Sequence, residues 1–215
     1  MKISTIIKQA RRGELSGLAD KAKTDEAIVD YINRALIAIY NRFQLRNEEA
    51  IITLADGKTI YRLDGNDTDV SMTAVNEFIS ITKAFDEAGE IPINDDSDDR
   101  SIYTVGYNAV QVPLTATGSY ISIIYRASAN ELEYDALEDV GSDNIPLPNS
   151  LTDALLNYVA YVAHKSYDDP TQANSVSYLK LFNESCREAE NFGLVPADTY
   201  TRDISVKGFI WEEVV

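Results

Sequence analysis

TDEAIVDYINRALIAIYNRF (24–43) and IPLPNSLTDALLNYVAYVAHKSYDDP (145–170) decide the fold. In the first, Ile28, Ile32, Ala35, Leu36, Ile39 and Phe43 recur at steps of three and four, the period of a helix with one apolar face. Asp30, Asn33, Arg34 and Asn41 fill the other face. Thr24 is suited to cap the helix, and Asp25 and Glu26 complement its dipole. In the second, Leu151, Ala154, Leu155, Tyr158, Val159 and Val162 make a similar stripe, with Ser150 and Asp153 resembling a capping box. Asp169 and Pro170 then mark the cap and first position of a further helix. Its stripe runs through Val176, Leu179, Phe182, Cys186 and Ala189 to Phe192, and Gly193 closes it. The two late helices read as an antiparallel hairpin that joins the first in a bundle of three. A short helix over Ile3–Arg12, capped by Ser4 or Thr5 and ended by Gly13, is a fourth member too short to stand alone.

The intervening sequence changes period. AIITL (50–54) and KTIYRL (58–63) flank Ala55-Asp56-Gly57, and the Asp-Gly pair predicts a hairpin. LDGNDTDVS (63–71) reads as a loop and EAGEIPINDDSDDR (87–100) as a polar excursion. Strands are expected at 77–85, 101–107, 109–114 and 119–127, rich in β-branched and aromatic residues. ELEYDALEDVGSDN (131–144) is an acidic connection. The expected class is therefore α+β: a helical bundle with an inserted antiparallel β domain and an extended C-terminal tail. Its parts are bundle helices at 1–48, the β-rich insertion at 49–144, the helix hairpin at 145–193 and an extended arm at 194–215.

Composition narrows the chemistry. The 215 residues carry a net charge of −16, distributed as +2 over residues 1–50 and −18 over the rest. Tight nucleic-acid binding needs a basic surface to neutralise phosphate, and beyond Lys8, Arg11 and Arg12 none is evident. Anionic membranes are disfavoured on the same ground, and no run reaches the roughly 20 apolar residues of a membrane span. The N-terminus lacks a secretory pattern, which points to synthesis in a cytoplasm-like compartment. One cysteine, Cys186, precludes a disulfide framework or cysteine zinc cluster within the chain, and one histidine, His164, precludes a histidine-rich metal site.

No catalytic signature stands out: there is no nucleophile elbow, phosphate loop or dinucleotide fingerprint. His164 reads as a packing or surface residue, and Cys186 as a small buried hydrophobe. The acidic runs fail as EF-hands. Counted from Asp95, the sixth and twelfth positions are Arg100 and Gly106; counted from Asp64 they are Asp69 and Val75. No catalytic, cofactor or metal residue is assigned. The C-terminal end is the one candidate site. Phe209, Ile210, Trp211, Val214 and Val215 place large apolar groups where chains usually fray, so the tail either packs back on its own subunit or docks on a neighbour, by strand addition for example.

With these blocks in view, the chain resembles the head–tail adaptor (connector) proteins of short-tailed bacteriophages. The resemblance rests on TDEAIVDYINRALIAIYNRF (24–43), EEAIITLADGKTIYRLD (48–64) and IPLPNSLTDALLNYVAYVAHKSY (145–167) in that order. It covers under half the chain, and it brings no catalytic residues. It implies a structural protein of the virion neck, made in the host cytoplasm and assembled as a homo-oligomeric ring of about twelve copies beneath the portal. Such a ring extends the DNA channel and carries the tail nozzle or fibres. DNA would pass without specific binding, and an acidic lining would suit that passage. The tail residues would then meet the portal or the adjacent subunit. Three other readings are weighed against this one: a tail gatekeeper or neck ring, a soluble binding or regulatory module, and, with least weight, an enzyme.

Overall fold

The structure is a computed structural model; it describes residues 1–74, 78–116, 118–134, 144–167, 173–194 and 196. It is a mixed α/β protein. Four α-helices span Ile3–Arg12 (α1), Asp25–Arg42 (α2), Thr152–Tyr167 (α3) and Ala173–Asn191 (α4). Eight strands follow the order Asn47–Thr53 (β1), Ile60–Arg62 (β2), Val70–Met72 (β3), Phe78–Asp86 (β4), Gly89–Ile91 (β5), Tyr103–Gly106 (β6), Ala109–Gln111 (β7) and Tyr120–Ala127 (β8). The chain forms two compact units, one of residues 1–43 and 129–215 and the other of residues 44–128.

In the helical unit α3 packs against both α4 and α2, and α1 touches α2 and α3. The core is made by the expected stripes: Ile28, Ile32, Leu36 and Ile39 from α2, and Leu151, Leu155 and Val159 at and along α3, all essentially inaccessible. Thr24 accepts a hydrogen bond from the Ala27 amide, satisfying one orphan donor of the first turn. Arg42 ties α2 to α4 through Glu190 (2.8 Å) and Asn183 (3.1 Å). Tyr40 donates to the Pro146 carbonyl at 2.6 Å, and Asn33 holds the backbone of Leu132 by both its amide groups. The Ile145 amide donates to the Met1 carbonyl, so the first residue is tied to the approach to α3.

Three local expectations fail here. Lys2, not Ser4 or Thr5, sits at the N-cap of α1, and no side chain caps it; both hydroxyl residues are already inside the helix. Ser150 lies within a 3-10 turn, Asn149–Leu151, that runs straight into α3. A capping box there is displaced by that turn, and Thr152 donates to the Asn149 carbonyl instead. On α4 the inward line passes through Ser175, Phe182, Cys186 and Ala189, so Val176, one position off that line, is 62% exposed. Phe192, the expected end of the stripe, is exposed as well. Asp168, Asp169 and Pro170, read as the turn between the late helices, lie outside the described residues.

In the β unit all ladders are antiparallel. A five-stranded sheet runs β3-β1-β8-β4-β5, and a three-stranded sheet runs β2-β7-β6. The Ala55–Lys58 turn forms, with Gly57 at φ 73° and the Lys58 amide donating to the Ala55 carbonyl. The expected hairpin does not. Both edges of β1 are taken, one by β8 over its whole length from Asn47↔Arg126 to Thr53↔Tyr120, the other by β3. β2 therefore goes to β7 in the second sheet. The loop read over 63–71 ends in β3, and the polar excursion contains β5, which pairs back on β4 through a turn held by Asp86. The core gathers Ala50, Ile52, Tyr61, Ile121, Ile123 and Tyr125. Tyr125 is fully buried, and its hydroxyl accepts from the Ala74 amide and donates to the Ala74 carbonyl.

Candidate interaction surfaces

Phe209, Ile210, Trp211, Val214 and Val215, the sequence-predicted contact residues, lie outside the described residues. The other residues singled out are placed, and their surroundings explain them. His164 is buried, stacked on Tyr178 at 5.1 Å, with Nε2 3.1 Å from the Glu14 carbonyl. That carbonyl fixes the proton on Nε2. The Nδ1 atom has no hydrogen-bond partner among the described residues. Through its stacking and Nε2 contacts His164 links α3 to Tyr178 of α4 and to the segment that follows α1. Cys186 is buried, and burial pushes its thiol up to about 11, which leaves negligible thiolate at neutral pH.

The acidic loops hold cations of the chain itself. Lys58 Nζ lies 2.5 Å from Asp67 and 2.6 Å from Asp69. Hydrogen bonds to these two carboxylates raise the lysine's pKa. Burial pushes Asp67 up, but Lys58 and the amides of Arg62 and Asp69 outweigh it and the net shift is downward. Asp64 is lowered first by its hydrogen bond from Arg62. In Asp95–Asp99 the carboxylates fold the chain: Asp95 accepts from the Ser97 hydroxyl and amide, and Asp98 accepts from the Arg100 amide. These are Asx turns, with Asn94 ahead of them in the left-handed region at φ 55°. No group of metal-binding side chains is present among the described residues.

Apolar side chains are exposed on both units. On the helical unit α2 and α3 border an open groove of about 480 Å³, lined by Arg34, Ile37, Tyr158, Tyr161, Val162 and Lys165. Tyr158, Tyr161 and Lys165 share one face of α3 at helical spacing, and Ile37, on α2, is 54% exposed. Tyr158 meets the ring of Tyr161 edge-on at 5.3 Å and that of Phe182 at 4.9 Å, so the floor is rigid. Lys165 lies over the Tyr161 ring at 5.5 Å. Burial raises the Tyr158 hydroxyl, while Lys165 and Arg34 draw it back. Among the described residues no carboxylate pairs with Arg34 or Lys165. Sequence reading assigned Arg34 to the solvent face and Tyr158 to the core; the groove arises because Ile37 falls beside that face and Tyr161 points out next to Tyr158. On the β unit, Ile60, Val105, Tyr107 and Leu114 are exposed, Tyr107 resting edge-on against Phe78 at 6.2 Å.

The family model for the SU10 adaptor protein matches residues 1–204, and the chain belongs to that family. No curated protein matches the chain. Membership makes it a structural phage protein, consistent with a head–tail adaptor, with a place in the virion and interactions with other head or tail proteins. The family is not one of enzymes. Among the described residues no helix is long and apolar enough to cross a membrane.

Proposed function

We propose that the chain is a head–tail adaptor that forms a ring of about twelve copies below the portal, extends the DNA channel and carries the tail nozzle or fibres. The observation that carries this reading is the family match across residues 1–204. The body suited to it is a helical bundle with the β domain inserted and a C-terminal arm over 194–215. Phe209, Ile210, Trp211, Val214 and Val215 of that arm contact the portal or the adjacent subunit. The charge of −16 keeps free subunits apart in solution and leaves DNA unheld as it passes.

The test is native mass, measured for the protein alone and after mixing with its phage's portal. The expected result is a 23.9 kDa chain that joins the portal as a complete ring. A chain that ignores the portal in this mixture overturns the proposal. The acidic lining has its own test: virions with Asn and Gln replacing exposed acids should eject DNA more slowly, and unchanged ejection removes that part of the reading.

A further inference from the structure

We infer that the α2–α3 groove is the acceptor for the C-terminal segment of a neighbouring copy, with Phe209–Val215 lying in it; this rests on the ring reading above and names its contact. Three observations converge. The groove is apolar and aromatic in its floor, and it is open, with Ile37 more than half exposed. Its two cations, Arg34 and Lys165, have no carboxylate partner among the described residues of a chain whose acids outnumber its bases by 16. The segment FIWEEVV (209–215) has the matching chemistry, with Phe209, Ile210 and Trp211 on one side and Val214 and Val215 on the other of a Glu212-Glu213 pair.

The dimensions agree. From Tyr158 to Lys165 the groove follows α3 for about 10 Å at 1.5 Å per residue. Four extended residues cover about 13 Å, so Phe209 to Glu213 can lay aromatic groups on Tyr158 and Tyr161 and still bring a carboxylate to Lys165. Large aromatic anchors in a preformed cleft, with charges at its rim, make an efficient contact. The symmetry agrees too. Segment and groove are different parts of the surface, so each copy gives its segment to the next and receives one from the previous. Such heterologous contacts generate a ring when the rotation between copies closes.

The full-length chain provides the test. Phe209→Cys carries a benzophenone maleimide, a label that the buried Cys186 thiol will not compete for. Isotopically heavy and light chains are mixed, irradiated both free at high concentration and bound to the portal, and the adducts mapped by mass spectrometry. The expected adducts join heavy to light chains within α2 and α3, and Ile37→Asp in the receiving copy lowers their yield about tenfold. Charge reversal, Arg34→Glu with Lys165→Glu, should lower it as well. Recovery is expected when the donating copy carries Glu212→Lys and Glu213→Lys, which a merely misfolded acceptor would not show. Adducts within single chains, adducts elsewhere, or yields indifferent to Ile37→Asp overturn the inference. The native mass of the portal mixture separates the two proposals: a ring that forms with adducts off the groove removes this contact and leaves the adaptor reading intact.

Discussion

The helical unit and the β unit are stabilised differently. The helical unit relies on continuous apolar stripes, with His164 and Ser175 among its few buried polar side chains. The β unit is built from short strands, several of them three residues long, whose turns are secured by backbone amides donating to the carboxylates of Asp64, Asp67, Asp86, Asp95 and Asp98. Both units bury an apolar core, and the β unit adds turns whose polar groups are satisfied by carboxylates. Damage placed in one unit should fall on that unit and spare the other.

The largest effect is expected from the helical core. Ile32→Ala removes a fully buried side chain from α2 and should cost about 2–5 kcal/mol. Hydrogen exchange should show the loss on the amides of α2 and α3; equal loss in β1 and β8 would break the comparison. Next comes Tyr125→Phe, which keeps the ring and strands both backbone groups of Ala74. A cost of about 1–3 kcal/mol is expected, read at β8 and β1 by the same measurement. Thr24→Ala removes the cap of α2 and should cost about 1 kcal/mol, measured by urea denaturation and largely recovered by Thr24→Ser.

The smallest effect is electrostatic. Asp64, Asp67 and Asp95 titrate below their ordinary value of 3.8 in the folded protein. Their contribution is thus complete above that value and is lost as pH falls through the lower folded values. Lys58 is raised above 10.5, so its share is complete below 10.5 and is lost as pH rises through the folded value. Acid titration followed on β2 and β3 amides should show loss of protection below pH 3.8, shifted to higher pH in Lys58→Gln. The change is small because Lys58 is partly exposed and salt screens it. An acid transition identical in the variant would sever Lys58 from the stability of this unit.

What the sequence disclosed follows the same division. The bounds of α1, the start of α2 with its Thr24 cap and most of the inward stripe of α3 were readable, because helical contacts repeat within a few residues. The Asp56-Gly57 turn was readable too, but the partner of β1 was not. That partner, β8, starts at Tyr120, and nothing local to Asn47–Thr53 names it. β4 was readable as a strand from the alternation of Phe78, Ser80 and Thr82 against Ile79, Ile81 and Lys83, but register shifts between Phe78 and Ser80 and between Ile81 and Lys83 break that two-face pattern. The groove was invisible for a further reason. It needs Ile37 from α2 beside Tyr161 from α3, and a stripe on one helix says nothing of the neighbour's outer edge.

The pairing of β1 with β8 carries one more consequence. Asn47 lies opposite Arg126, and the Ala127 amide reaches the Arg46 carbonyl at 3.1 Å, so the chain enters and leaves the β unit at neighbouring points. A segment whose two ends meet behaves as a cassette. It can be lengthened, recoded or exchanged for another with adjacent ends at little cost in loop closure, because the gap to be spanned stays one strand spacing wide.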